Sequence, residues 1–143
     1  MSYSEGMEIV LADEAATQAL GAAVARILRA GDAVCLTGPL GAGKSSFARA
    51  LIRELTSPDE EVPSPTYTLV QAYQGPDFEI AHFDLYRLED PEEIYEIGWE
   101  DALSGGVALV EWPQRLGTHV PPNAKRIRIE TLAGESRRIT IDE

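Results

Sequence analysis

The most informative stretch of the sequence is GPLGAGKSSFARAL, residues 38–51. It matches the pattern G-x-x-x-x-G-K-[ST] through Gly38, Gly43, Lys44 and Ser45. In such a loop, glycines let backbone amides turn toward phosphate oxygens, and the following helix offers the positive end of its dipole. The lysine is expected to reach the β- and γ-phosphates, and the serine hydroxyl is expected to ligate Mg²⁺. The stretch therefore predicts a phosphate-binding loop.

The segments on either side of this loop are those that the pattern requires. The apolar run of residues 33–36 predicts a short buried strand that leads into the loop. Residues 44–56 predict a helix that turns Phe47, Leu51 and Leu55 inward. Strand, glycine-rich loop and helix in this order indicate an α/β fold of the P-loop NTPase type.

The remaining patterns complete a single domain over residues 1–143 with a mixed, mainly parallel central sheet. Before the phosphate loop they predict an edge strand at residues 7–11 and a helix from the N-cap Asp13 to Gly31. After it they predict a hairpin around Gly75 and Pro76 and a helix over residues 91–103 that follows the cap Asp90. An apolar strand within residues 105–112 and a C-terminal β-hairpin that turns at Ala133 and Gly134 complete the prediction. Three prolines between residues 58 and 65 predict an exposed loop.

Two acidic residues close strands that can lie beside the loop. Glu111 ends the apolar run VALVE, which suits a central strand, and Asp84 ends the more mixed run IAHFD, which suits a strand nearer the edge. A Mg²⁺–triphosphate site needs such an acid at the end of a buried strand. We assign Glu111 to the metal and Asp84 to orienting water or a metal-bound water, although an acid after a strand is often only a solvated loop residue.

Three further residues have two interpretations each. Thr66 lies in the proline-rich loop, where a switch segment can sense the γ-phosphate, but the residues alone favour an ordinary turn position. His82 is interior to a strand and is interpreted as a core residue rather than a base. Trp112 either stacks on a partner or a nucleotide, or simply packs.

Composition limits the partners of the protein. Twelve Lys and Arg against 24 Asp and Glu give a formal net charge of −12, which disfavours independent binding of nucleic acid. A basic protein partner is the more natural companion, although such charge can serve solubility alone. Cys35 is the single cysteine, so an intramolecular disulfide is excluded and a cytoplasmic location is expected. We expect no membrane span, because no apolar run approaches about 20 residues.

The sequence also argues against two classes of P-loop protein. A GTPase usually reads guanine with an Asn/Thr-Lys-x-Asp motif, whereas the only asparagine, Asn123, is followed by alanine. Kinases of small molecules usually carry an arginine-bearing lid, and no such insertion is visible. The open alternatives are an accessory ATPase, a stand-alone phosphotransferase (kinase) acting on a metabolite, and a nucleotide-binding adaptor without turnover.

Four blocks of sequence resemble, in this order, those of the bacterial TsaE family, also called YjeE. They are GPLGAGKSSFARAL (38–51), VPSPTYTLV (62–70), HFDLYRL with the following DPEE (82–88 and 90–93), and VEWPQRL (110–116). The resemblance implies a Mg²⁺-dependent ATPase, weak on its own, that serves the formation of threonylcarbamoyladenosine in tRNA. It also implies work with a TsaB–TsaD pair, in which TsaD performs the transfer and the partners handle the tRNA.

The resemblance also assigns site residues by position. It implies a nucleotide loop at Gly41, Ala42, Gly43, Lys44, Ser45 and Ser46, magnesium ligands at Ser45 and Glu111, a second acid at Asp84, a switch-like threonine at Thr66, and further nucleotide contacts near Glu14 and Gly134. Trp112 matches the tryptophan of the EWP block. Many relatives have two threonines where this chain has Ser45 and Ser46, but the hydroxyl that ligates magnesium is retained.

Overall fold

The computed structural model describes residues 7–39, 42–65 and 68–142. Within these ranges the strands are β1 (Met7–Leu11), β2 (Ala33–Thr37), β3 (Val70–Gln74), β4 (Glu79–Asp84), β5 (Val107–Glu111), β6 (Lys125–Thr131) and β7 (Arg137–Asp142). The helices are α1 (Glu14–Arg26), α2 (Lys44–Leu55) and α3 (Trp99–Gly105), and two 3₁₀ segments span Pro91–Ile97 and Pro113–His119.

The described strands form one seven-stranded sheet in the order β1-β7-β6-β2-β5-β4-β3. The four central strands β6, β2, β5 and β4 are parallel, and antiparallel pairs flank them on both sides. This arrangement confirms the predicted mixed sheet, both hairpins and the central place of the strand that ends at Glu111. The phosphate loop follows β2, so it leaves the sheet beside the carboxyl ends of its neighbours, where open α/β sheets bind ligands.

Two apolar layers cover the sheet. On one face α1 and α2 pack against β2, β5 and β6, with Phe47 and Leu51 fully buried as predicted and Leu55 partly buried. On the other face α3 and the two 3₁₀ segments cover Phe83 and Val110. These layers hold the central strands and therefore fix the edge from which the loop emerges.

Cys35 lies in the second layer and has no disulfide partner. Burial raises the pKa of its thiol to about 11, and the nearby charge of Arg126 only partly opposes this shift. A buried thiol that holds its proton is a poor nucleophile, so the structure agrees with a packing role.

Two predicted helix limits are wrong, and both errors involve glycine. Helix α1 ends at Arg26 rather than at Gly31, because the N–H groups of Ile27 and Leu28 already close tight turns to Val24 and Ala25. The helix predicted over residues 91–103 is divided at Gly98, whose φ of +89° ends the 3₁₀ segment before α3 begins. Asp90 caps this segment as predicted, and the side chain of Glu93 completes a capping box with it.

Candidate functional site

A cavity of about 470 Å³ opens where β2, β4 and β5 end. We call it the main cavity. It brings together eight residues that the sequence singled out: Glu14, Gly43, Lys44, Ser45, Ser46, Asp84, Glu111 and Trp112. They come from α1, the phosphate loop with α2, and the ends of β4 and β5. The cavity is therefore the meeting point of segments that are far apart in the chain.

Two glycines shape the loop between β2 and α2. A side chain at Gly38 would collide with the carbonyl oxygen of Ile129, so β6 allows only glycine there. Gly43 has a φ of +103°, a left-handed conformation that glycine adopts without strain, and it is the N-cap of α2. The first turn of α2 therefore begins directly at the cavity wall with Lys44. Gly41, predicted as part of the same loop, lies outside the described residues.

Lys44 is the principal cation of the main cavity. Its side chain is 7% exposed, and its Nζ lies 4.9 Å from the centroid of the Trp112 ring. Among the described residues no carboxylate forms an ion pair with this ammonium group. A largely buried charge that lacks a counter-ion is costly, so an anionic ligand fits this position.

The two predicted acids lie side by side. Asp84 and Glu111 are paired residues in the parallel register of β4 and β5, and both are buried, at 6% and 8% exposure. Asp84 Oδ1 accepts a hydrogen bond from the N–H of Tyr86 at 3.1 Å. Glu111 Oε2 lies 2.8 Å from Nε2 of His82. Both carboxylates therefore lie at the carboxyl ends of their strands, beside the loop, as the sequence predicted.

The donor set suits magnesium bound together with a polyphosphate. Among the described residues there is no group of three or more His, Cys, Asp or Glu that could enclose a metal by itself. Mg²⁺ usually keeps several waters and takes one or two carboxylates plus substrate phosphates. The hydroxyl of Ser45 and the carboxylate of Glu111, both on the cavity wall, match this requirement.

The first helix and the last hairpin close the far side of the main cavity. Glu14 Oε1 accepts a hydrogen bond of 2.7 Å from the Ser46 hydroxyl, which ties α1 to α2 beside the loop. Gly134 is not part of the wall; its carbonyl accepts a hydrogen bond from Arg137 at 3.1 Å, and Glu135 and Arg137 form the wall instead. The predicted nucleotide contact near Gly134 stays a prediction, and Glu135 and Arg137 are the residues of this hairpin that line the cavity.

Sequence reasoning missed four wall residues: Thr17, Ser64, Glu135 and Arg137. Arg137 has the clearest role, because its Nε donates a hydrogen bond of 2.8 Å to the carbonyl of Ala42 in the phosphate loop. One signal was available. Strand alternation places Arg137 on the same face as the buried Ile139, toward the helices that carry the loop.

An aromatic pair stands at the rim of the main cavity. The rings of Tyr86 and Trp112 lie 4.9 Å apart, and Tyr86 is 52% exposed. Trp112 has a φ of +61°, which is unusual for a large side chain and turns the chain sharply after Glu111. The turn places the indole ring over Lys44. Thr66, the predicted switch residue, lies outside the described residues, although Ser64 of the same loop is on the wall.

None of the helices in the described ranges is long and apolar enough to cross a membrane.

Comparison with known proteins gives one consistent family. A family model described as Threonylcarbamoyl adenosine biosynthesis protein TsaE matches residues 11–139. A tRNA threonylcarbamoyladenosine biosynthesis protein TsaE from Rickettsia felis is 38% identical over 133 residues, which cover 93% of this chain and 78% of the relative. The protein of the same name from Treponema pallidum is 37% identical over 122 residues, covering 85% and 89%.

A solved structure confirms the fold. The crystal structure of YdiB from Bacillus subtilis aligns with 99% of this chain and 88% of that chain, with a TM-score of 0.76 and 24% sequence identity. The predicted α/β class with a mixed sheet is therefore correct.

Proposed function

The chain belongs to the TsaE family of tRNA threonylcarbamoyladenosine biosynthesis proteins, and from this premise we propose that it is an ATP-binding, weakly ATP-hydrolysing accessory protein of that modification. In this proposal it acts with a TsaB–TsaD pair. The proposed place of action is the cytoplasm.

A single observation carries the proposal. The buried ammonium group of Lys44 faces a cavity that also holds the Ser45 hydroxyl and the buried carboxylates of Asp84 and Glu111. A buried cation that has no carboxylate partner among the described residues, beside two acids, suits a ligand that is itself anionic and brings a divalent cation with it. A magnesium-bound nucleoside triphosphate has both properties.

Each residue then has a distinct task. ATP would supply a terminal phosphate that water can remove, and Mg²⁺, when bound, would neutralise negative charge on the phosphates. Lys44 binds the β- and γ-phosphates, while Ser45 and Glu111 hold the metal. Asp84, which stands next to Glu111 in the strand register, is proposed to orient water or a metal-bound water. Thr66, in the loop that contains the wall residue Ser64, is proposed to sense the γ-phosphate.

The charge of the chain supports a division of labour with partners. A formal net charge of −12 opposes contact with the phosphates of tRNA. The same charge steers association with a basic protein surface. In this proposal the partners bind the tRNA, and this chain contributes the nucleotide cycle.

Reconstituted tRNA modification tests the proposal. With TsaB, TsaD, tRNA and ATP, the Lys44→Ala variant is expected to lose modification, because the phosphates lose their buried cation. Lys125→Ala is the matched control: Lys125 is the only other lysine, and it lies at the start of β6, level with Val34 rather than with the loop. Circular dichroism should show both variants folded. Complete modification with Lys44→Ala would refute the proposal.

The two other functions give different results. A stand-alone phosphotransferase transfers phosphate efficiently to a small acceptor without TsaB–TsaD. An adaptor without turnover binds ATP but releases no phosphate, alone or with partners. We expect slow phosphate release from the purified chain and a change in rate or affinity when TsaB–TsaD is added.

A further inference from the structure

His82 makes a contact that its position inside β4 did not suggest. The residue is 3% exposed, and its Nε2 lies 2.8 Å from Glu111 Oε2 on the neighbouring strand β5. A carboxylate only accepts hydrogen bonds, so the imidazole Nε2–H is the donor. The other ring nitrogen, Nδ1, is buried without a hydrogen-bond partner among the described residues. Among the described residues, Glu111 therefore makes the hydrogen bond that orients the ring.

The surroundings of this pair link it to the predicted metal site. A small cavity of about 30 Å³ lies between the pair and the loop before Thr66, and Ser45, Ser64, His82 and Glu111 are among the residues that line it. Ser45 and Glu111 are the two proposed magnesium ligands. His82 thus contacts one ligand directly and shares a cavity wall with the other.

Resting on the proposed function, we propose that His82 is a positioning residue for the metal: it holds Glu111 Oε2 so that Oε1 remains the ligand oxygen. A glutamate has three side-chain torsions, and a hydrogen bond to one oxygen removes much of that freedom. The protein offers magnesium only one carboxylate ligand in this scheme, so its orientation determines metal affinity. Partners of this kind typically change metal affinity by roughly 10- to 100-fold.

A purely structural role predicts something different. A histidine that only fills space in the core affects folding and all ligands alike. A positioning histidine affects binding that requires magnesium and leaves nucleotide binding in EDTA unchanged, because Lys44 and the loop amides do not depend on it. The contrast between the two conditions separates the roles.

The experiment compares His82→Gln and His82→Leu with the wild-type chain. The glutamine amide can replace Nε2–H as the donor to Glu111, whereas leucine fills a similar volume without a donor. The measurement is the affinity of a fluorescent ATP analogue across a Mg²⁺ titration and in EDTA, together with thermal unfolding. His119→Gln is the control, because His119 is the only other histidine and bonds to Tyr95 outside the site. If His82→Leu does not fold, His82→Asn replaces it, since the shorter amide cannot reach Glu111.

We expect His82→Leu to raise the Mg²⁺ midpoint about 10-fold or more, with unchanged affinity in EDTA. His82→Gln should recover most of the loss, and His119→Gln should match the wild-type chain. A wild-type midpoint in His82→Leu, or an equal loss in EDTA, overturns the positioning role and leaves the proposed function intact. If the wild-type chain binds no nucleotide in either condition, the proposed function itself fails.

Discussion

The hydrogen bond from Arg137 to Ala42 makes the terminal hairpin a part of the nucleotide site, and replacing the arginine tests this link. Within the described part of the chain, the guanidinium donates to the carbonyls of Ala42 at 2.8 Å, Gly134 at 3.1 Å and Ser136 at 2.8 Å. Of these three bonds, the one to Ala42 joins the hairpin to the phosphate loop. Arg137→Met keeps the aliphatic stem and removes all of these donors.

The expected loss follows from that one bond. A hydrogen bond from a charged donor contributes about 1.5–3 kcal/mol, and the Ala42 bond is partly buried. If this energy orders the loop before binding, its loss weakens ATP affinity by roughly 10- to 100-fold. The two bonds within the hairpin affect local order more than affinity.

Isothermal titration with ATP and Mg²⁺ measures this change. Arg138→Met is the control, because Arg138 is the next residue, faces the other side of β7, and makes a long contact of 4.0 Å with Glu8. We expect wild-type affinity for Arg138→Met and unchanged thermal unfolding of the core in both variants. Wild-type affinity in Arg137→Met, or an equal loss in Arg138→Met, would refute the reasoning.

Two further predictions concern single side chains. Nucleotide binding is expected to change the fluorescence of Trp112, because the centroid of its ring lies 4.9 Å from the Lys44 Nζ that is proposed to bind the phosphates. In Trp112→Phe the buried Trp99 is the remaining tryptophan. A fluorescence change that persists in this variant would contradict the prediction. Burial raises the pKa of the Cys35 thiol from 9.0 to about 11, so the thiol keeps its proton in the folded chain. The stability that this proton contributes is fully present below pH 9 and is lost as the pH rises through 11. Reaction with a thiol reagent at pH 8 should therefore be slow until the chain unfolds, and fast reaction of the native protein would count against this burial.

Short stretches of sequence were sufficient to predict the features that depend on residues close together in the chain. The β2–loop–α2 unit follows from glycine spacing and apolar periodicity, and Glu111 and Asp84 were found because parallel strands bring their carboxyl ends to one edge. The break at Gly98 was missed, because periodicity alone does not reveal a left-handed glycine inside a helical pattern.

Other features of the site depend on contacts between residues that are far apart in the sequence. Arg137 reaches the loop because β6 pairs with β2 and carries β7 with it, an order of strands that alternation does not specify. His82 meets Glu111 only through the pairing of β4 with β5. Thr66 and Gly41 lie outside the described residues, so their roles stay predictions.

Turnover by a Glu111→Gln variant tests whether this chain is a magnesium-dependent ATPase whose metal is held by Ser45 and Glu111. Phosphate release and ATP binding are measured in parallel with TsaB–TsaD present. We expect slow but measurable phosphate release by the wild-type chain. In Glu111→Gln we expect no phosphate release, although ATP still binds. Wild-type turnover in Glu111→Gln would contradict this expectation.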